Sequence, residues 1–98
     1  MADDLTGDER VIVLRDKGRS FVSIAKELQL SNAREAIAAF NRAFERRDPS
    51  EREALRTREV ARLDVLGDRI RKRTDLTEEE IDRRLQALLR LGKALHVA

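Results

Sequence analysis

The sequence contains no cysteine and only one histidine. Without cysteine the chain has no disulfide, no thiolate nucleophile and none of the ligands of the common structural zinc sites. The single histidine, His96, stands near the C-terminus and has no second histidine with which to form a metal site or a general-base pair. We therefore expect a non-enzyme with no catalytic residues, no metal ligands and no cofactor, and the absence of cysteine fits a reducing cytoplasm.

Aromatic residues and long apolar runs are also scarce. There are three Phe, no Trp and no Tyr. No apolar run approaches the roughly 20 residues that a membrane-spanning helix needs. The first seven residues are acidic and lack the apolar core of a signal peptide. The four glycines are scattered, so no phosphate-binding glycine-rich loop is expected. These absences argue against a membrane protein and against a nucleotide-binding enzyme.

Charge and helix-forming residues are abundant instead. Charged residues make up 41% of the chain, and 21 basic side chains nearly balance 19 acidic ones. Because the two signs are interspersed, any anion-binding site has to be local. Hydrophobic residues make up another 41%, and Ala, Leu, Glu and Arg dominate the sequence. This composition favours helix over strand and predicts an all-α fold.

Capping residues and breakers divide the chain into five predicted helices after a flexible tail over residues 1–6. Thr6 and Glu9 match a capping box, as do Thr77 and Glu80. Gly18 ends the first helix, and Pro49 fits the first position of the fourth. The predicted helices cover about 7–17, 21–28, 32–47, 49–73 and 78–96. Residues 7–47 are expected to form a three-helix domain, and residues 48–98 a C-terminal helical hairpin.

Apolar periodicity predicts which faces of these helices are buried. In the third helix Ile37, Phe40 and Phe44 belong to the buried stripe, whereas Arg34, Glu35, Ala38, Asn41 and Arg42 face away. In the fourth helix the predicted stripe consists of Leu55, Val60, Leu63, Leu66 and Ile70.

The segment from Gly18 to Phe44 carries the most specific pattern. Its first part, G-R-S-F-x-x-I-A-x-x-L-x-L-S, resembles the helix-turn-helix of sigma-factor region 4, resolvases and phage terminase small subunits. An Arg-rich helix with E-x-x-R-L-D-x-L at Glu59 to Leu66 follows, and the whole is most similar to small actinobacterial and phage helix-turn-helix proteins. The resemblance covers about residues 11–66 and implies double-stranded DNA binding. The chain departs from the family at Gln29, where glycine is usual.

A helix-turn-helix reads DNA with the N-terminal part of its second helix. The residues expected to contact base edges are Asn32, Arg34, Glu35 and Ala38. Arg34 is suited to bidentate pairing with guanine. Glu35 is suited either to accept a hydrogen bond from cytosine or, the reading we favour, to cap the helix with Asn32. The residues expected to contact phosphates are Lys17, Arg19, Ser20, Ser31 and Arg42.

Two functions remain open from the sequence. The first is a DNA-binding transcriptional regulator or phage-type DNA-control protein, and the alternative is a helical protein-interaction module. A one-sided basic surface around the third helix favours the first, and a large apolar groove favours the second. Because a lone helix-turn-helix contacts few base pairs, we also expect a homodimer, formed through a heptad-like seam of Ile81, Leu85, Leu88 and Leu95.

Overall fold

The structure is a computed structural model that describes residues 7–97. Within this range the chain forms five α-helices and no strand, which confirms the predicted all-α class. The helices begin and end within two residues of the predicted bounds. The predicted tail, 1–6, and the cap Thr6 lie outside the described residues. The helices are α1 (Gly7–Asp16), α2 (Phe21–Glu27), α3 (Ala33–Glu45), α4 (Pro49–Arg71) and α5 (Glu78–Ala94).

The chain divides into two compact units between Asp48 and Pro49, one residue after the predicted domain boundary. The first unit contains α1, α2 and α3, and the second contains α4 and α5. No helix in the described part of the chain is both long and apolar enough to cross a membrane.

In the first unit α3 packs against both α1 and α2. The rings of Phe21 and Phe40 meet edge to face, with their centroids 5.7 Å apart. Arg15 is buried, because its guanidinium lies 4.3 Å from the centroid of the Phe21 ring and donates a hydrogen bond to the carbonyl of Arg19. The apolar residues of this core are Val11, Ile12, Leu14, Phe21, Ile24, Ala25, Ala36, Ala39, Phe40, Ala43 and Phe44.

The buried face of α3 is broader than predicted, because both α1 and α2 cover it. Phe40 and Phe44 are buried as expected, but so are Ala39 and Ala43. The prediction that Asn41 faces away is wrong, since this residue is 8% exposed. Ile37, predicted as buried, is only half-buried.

Asp8 joins α1 to the outer side of α3. Its carboxylate accepts two hydrogen bonds of 3.0 Å from Arg42 and one of 3.0 Å from Arg46. The hydrogen bond from Arg42 and the charges of both guanidinium groups lower the pKa of Asp8, although partial burial opposes them. Glu9, the next residue, forms an ion pair with Arg47. These pairs connect residues more than 30 positions apart and hold the two helices in register.

Because Asp8 pairs with Arg42 and Arg46, we expect the free energy of unfolding to depend on pH. Because folding lowers the pKa of Asp8, its contribution is complete above the unfolded value of about 4 and is lost as pH falls through the folded pKa. We expect Asp8→Asn to lower the free energy of unfolding at neutral pH and to flatten its decline between about pH 5 and pH 2. Urea denaturation at several pH values measures both effects. An unchanged decline in the variant would contradict the assignment.

The second unit is a pair of packed helices, α4 and α5. Thr77 caps α5 as predicted, because its hydroxyl accepts a hydrogen bond of 3.1 Å from the amide of Glu80. The predicted stripe of α4 is wrong at Val60, which is 42% exposed. The preceding residue, Glu59, is buried instead, because it lies one helical turn after the buried Leu55 and shares its face of the helix. The carboxylate of Glu59 forms an ion pair with Arg62.

The end of α5 also departs from the predicted seam. Ile81, Leu85 and Leu88 are half-buried. Leu95 is 2% exposed and stands in extended conformation just after the last helical residue. The heptad spacing therefore does not apply to Leu95, which is not available at the surface.

Candidate nucleic-acid interface

The connection between α2 and α3 is a tight, hydrogen-bonded turn. Ser20 begins α2 as its cap, because its hydroxyl accepts a hydrogen bond of 3.1 Å from the amide of Ser23. At the other end the amide of Leu30 donates to the carbonyl of Ala25 over 2.8 Å. This bond closes a turn of the kind that ends helices with one left-handed residue. Gln29 supplies that conformation, with φ of +58°.

The crossing of the two helices depends on a small buried residue. Ala25 is 3% exposed and lies between the core residue Ile24 and the turn. A larger side chain at this buried position would overpack the core of the first unit. Ala25 belongs to the I-A pair of the sequence motif that resembles helix-turn-helix proteins, whereas Gln29 stands where that family usually has glycine.

Two local hydrogen bonds fix the N-terminus of α3. The Asn32 side chain accepts a bond of 3.0 Å from the amide of Glu35. The Glu35 carboxylate accepts one of 2.9 Å from the amide of Ser31. Glu35 is therefore engaged in capping, the role favoured from the sequence, and its carboxylate reaches back to the residue before the cap. Asn32 retains its amide N–H groups as donors.

Arg34 is the exposed cation of this helix start. No hydrogen-bond or ion-pair partner for it exists among residues 7–97. Ala38, one helical turn further, is exposed as well. The predicted base-contact residues Asn32, Arg34, Glu35 and Ala38 thus share the exposed side of the first turns of α3.

The predicted phosphate-contact residues differ in their exposure and in the partners that they already have within the protein. Lys17 is exposed and has no partner in the described range. Arg19 donates to the Ser23 hydroxyl and pairs with Glu27 at 3.0 Å, but both side chains of this ion pair are well exposed. Exposed pairs contribute little, so Glu27 holds Arg19 only weakly. Ser20 and Ser31 are exposed next to the two helix starts.

Arg42 is the exception among the predicted phosphate contacts. Its bidentate pairing with Asp8 employs Nε and Nη2, and the Asp8 side chain is only 16% exposed. The pairing raises the pKa of Arg42. Bidentate pairs on a partly buried carboxylate are among the stronger ion pairs. The structure therefore gives Arg42 a part in joining α1 to α3, and sequence reasoning missed Asp8 because a contact over 34 positions leaves no local pattern.

The outer side of α3 is not uniformly basic. Glu35 and Glu45 are exposed there together with Arg34 and Arg42. The one-sided basic surface that would favour DNA binding most strongly is absent from this face of the described chain. Among the predicted DNA contacts, the exposed cations without a partner in the described range are Lys17, just after α1, and Arg34, in the first turn of α3.

No protein-family model matches this chain, and no match was found among curated proteins or among solved structures. Among residues 7–97 no group of three or more His, Asp or Glu side chains is arranged to hold a metal ion.

The left-handed residue of the turn offers a direct test of this geometry. A residue with a Cβ atom is strained at φ of +58°, whereas glycine is not. We expect Gln29→Gly to raise the free energy of unfolding by about 0.5–1 kcal/mol. Gln29→Val, with a branched Cβ in the same conformation, should lower it. Denaturation followed by circular dichroism measures both. A destabilised glycine variant would mean that the turn does not adopt this conformation.

Proposed function

We propose that this protein binds double-stranded DNA through α2 and α3, with the start of α3 in the major groove. The observation that carries the proposal is the junction of the two helices. A small buried residue at the crossing, Ala25, and a left-handed turn at Gln29 precede a capped helix whose exposed start presents Arg34. A helix-turn-helix joins two helices by a tight turn and places the start of the second helix in the major groove.

In this proposal the residues divide into two roles. Arg34 reads a base edge, by two hydrogen bonds to a guanine, and the amide of Asn32 contributes a donor beside it. Lys17, Arg19 and Ser20 hold phosphates and position α3 without reading sequence. Glu35 and Arg42 act within the protein, as cap and as partner of Asp8. Only a few cations per copy face the DNA, so a single copy binds weakly and with little specificity.

A pair of copies overcomes that weakness. Two helix-turn-helix units in a dimer contact two half-sites about one helical turn apart, which doubles both phosphate and base contacts. We therefore propose a homodimer as the DNA-binding form, and a role in control of transcription or of phage-type DNA processing.

A helical interaction module is the second candidate. It is favoured by the mixed charge of the exposed side of α3 and by an apolar groove on the second unit, described below. In that case α3 would contact a protein surface instead of DNA, and Arg34 would pair with a carboxylate of the partner.

Selection of bound sites from a random-sequence duplex distinguishes the two candidates. The protein is mixed with the pool at low salt, bound duplexes are recovered by gel shift, and the enriched sequences are read. The DNA-binding proposal predicts enrichment of a short motif that contains guanine and, for a dimer, recurs as an inverted repeat. Absence of any shifted band at low salt would reject DNA binding and leave the interaction module.

A further inference from the structure

The two helices of the second unit leave an apolar groove of about 560 Å³ between them. Two glycines of this groove let α4 and α5 approach each other closely. Gly67 of α4 lies opposite Leu88 of α5, and a Cβ atom on Gly67 would be 3.6 Å from the leucine methyl group. Gly92 of α5 lies opposite Leu63 of α4 at 3.7 Å in the same way. Each glycine is therefore covered by a leucine of the other helix, and the Arg71 guanidinium also lies against Gly67.

The groove has an exposed apolar wall. Leu89 lines it and is 56% exposed, and Leu63, Leu85 and Leu88 are half-buried along it. The second unit buries few apolar side chains of its own in α5, in which no residue is fully buried. An apolar surface of this kind on a small helical hairpin is typical of an interaction site.

Four charged residues stand at the corners of the groove, and their signs alternate. Asp64 of α4 and Lys93 of α5 lie toward the open end of the hairpin, and Arg71 of α4 and Asp82 of α5 lie toward the connecting loop. Asp64, Asp82 and Lys93 have no ion-pair partner among the described residues. Arg71 pairs only with Asp68, and both side chains are more than 60% exposed.

This alternation makes the groove complementary to itself. Two hairpins that face each other are related by a two-fold axis in the plane between them. If the axis runs along the helices, Asp64 meets Lys93 of the second copy and Arg71 meets Asp82. If the axis runs across the helices, Asp64 meets Arg71 and Asp82 meets Lys93. Each acidic side chain faces a basic one in both arrangements. A different protein would need the same alternation of charges on its own surface to fit the groove equally well.

We propose that the groove of α4 and α5 is the surface through which two copies of this chain associate, as a four-helix bundle with Leu89 at its centre. This surface replaces part of the seam predicted from the sequence. Leu85 and Leu88 remain in it, whereas Ile81 lies outside the groove lining and Leu95 is buried. The proposal supplies the dimer invoked above for DNA binding, but the association itself requires no DNA.

Sedimentation equilibrium of the full chain without DNA, between about 1 and 100 µM, tests this surface. We expect a dimer fraction that rises with concentration. Leu89→Glu should weaken association at least about a hundredfold, because it would bury a charge in the apolar interface. The matched control is Val65→Glu, since Val65 is 48% exposed on α4 outside the groove and should leave the dimer intact. Circular dichroism verifies that both variants remain helical.

Charge reversal distinguishes the two orientations of the two-fold axis. Asp64→Lys should weaken the dimer, and a compensating reversal should restore it. Rescue by Lys93→Asp indicates the axis along the helices, and rescue by Arg71→Asp indicates the axis across them. A full-length chain that stays monomeric at 100 µM would overturn the proposal. A dimer that Leu89→Glu leaves unchanged would overturn it as well, because the contact would then lie outside the groove. A chain that dimerises through this groove but binds no DNA would support the proposed dimer surface and contradict only the proposed function.

Discussion

Phe40→Ala is expected to lower the free energy of unfolding by about 3–5 kcal/mol, a large part of the total stability of a domain this small. Phe40 is 1% exposed and meets the ring of Phe21 edge to face. Its truncation removes apolar contact area and the ring pair, and it leaves a cavity between α2 and α3. Because α3 is held in place by this contact, DNA binding should be lost together with the fold of the first unit.

Urea denaturation followed by circular dichroism measures this loss. Phe40→Leu should cost less than Phe40→Ala, since a leucine retains most of the buried volume. Val22→Ala is the matched surface control, because Val22 is 56% exposed on α2 and its truncation should change stability by less than about 0.5 kcal/mol. A loss below about 1 kcal/mol for Phe40→Ala would contradict its central place in the three-helix core.

Arg34→Ala is expected to weaken binding to the selected DNA site by about 1–3 kcal/mol, which is roughly fivefold to 150-fold in Kd. The physical reason is that a guanidinium paired with guanine discriminates against the other bases, and alanine does not. Stability should be unchanged, since Arg34 is exposed and has no partner among the described residues. Sequence preference should relax at one position of the selected motif, whereas Lys17→Ala should weaken all sequences about equally.

Arg90→Ala serves as the control for Arg34→Ala, because Arg90 is an exposed arginine of α5 in the other unit. It removes the same charge from the protein but no proposed base contact. Fluorescence anisotropy with the selected duplex and with a scrambled one measures each variant. If Arg34→Ala and Arg90→Ala weaken binding equally, or if the selected motif is unchanged, Arg34 does not read a base.

Local signals explain why the helices were predictable. Asn32 and Thr77 each cap the helix that their position in the sequence predicts, because a cap is a contact over only three residues. The buried faces were less predictable. Asn41 is buried because α1 and α2 both cover α3, and no periodicity within α3 reveals the second neighbour.

Long-range pairing accounts for what the sequence did not predict at the candidate site. Arg42 has the exposed, basic character of a phosphate contact, and only the placement of Asp8, 34 residues earlier, gives it another role. Glu59 at a buried position is a similar case, since a carboxylate takes that place only with a partner such as Arg62. The groove between α4 and α5 depends on which leucine each glycine faces, and that register is a property of the folded hairpin.

The dependence of DNA affinity on salt tests the central claim most directly. If Lys17, Arg19 and their copies in a dimer displace counterions from phosphates, log affinity should fall linearly with log salt concentration. The few contacts proposed correspond to a loss of about 10²–10³ in affinity between 50 and 200 mM salt, measured by anisotropy with a labelled duplex. Binding that does not change with salt, or no binding at 50 mM, would contradict the account.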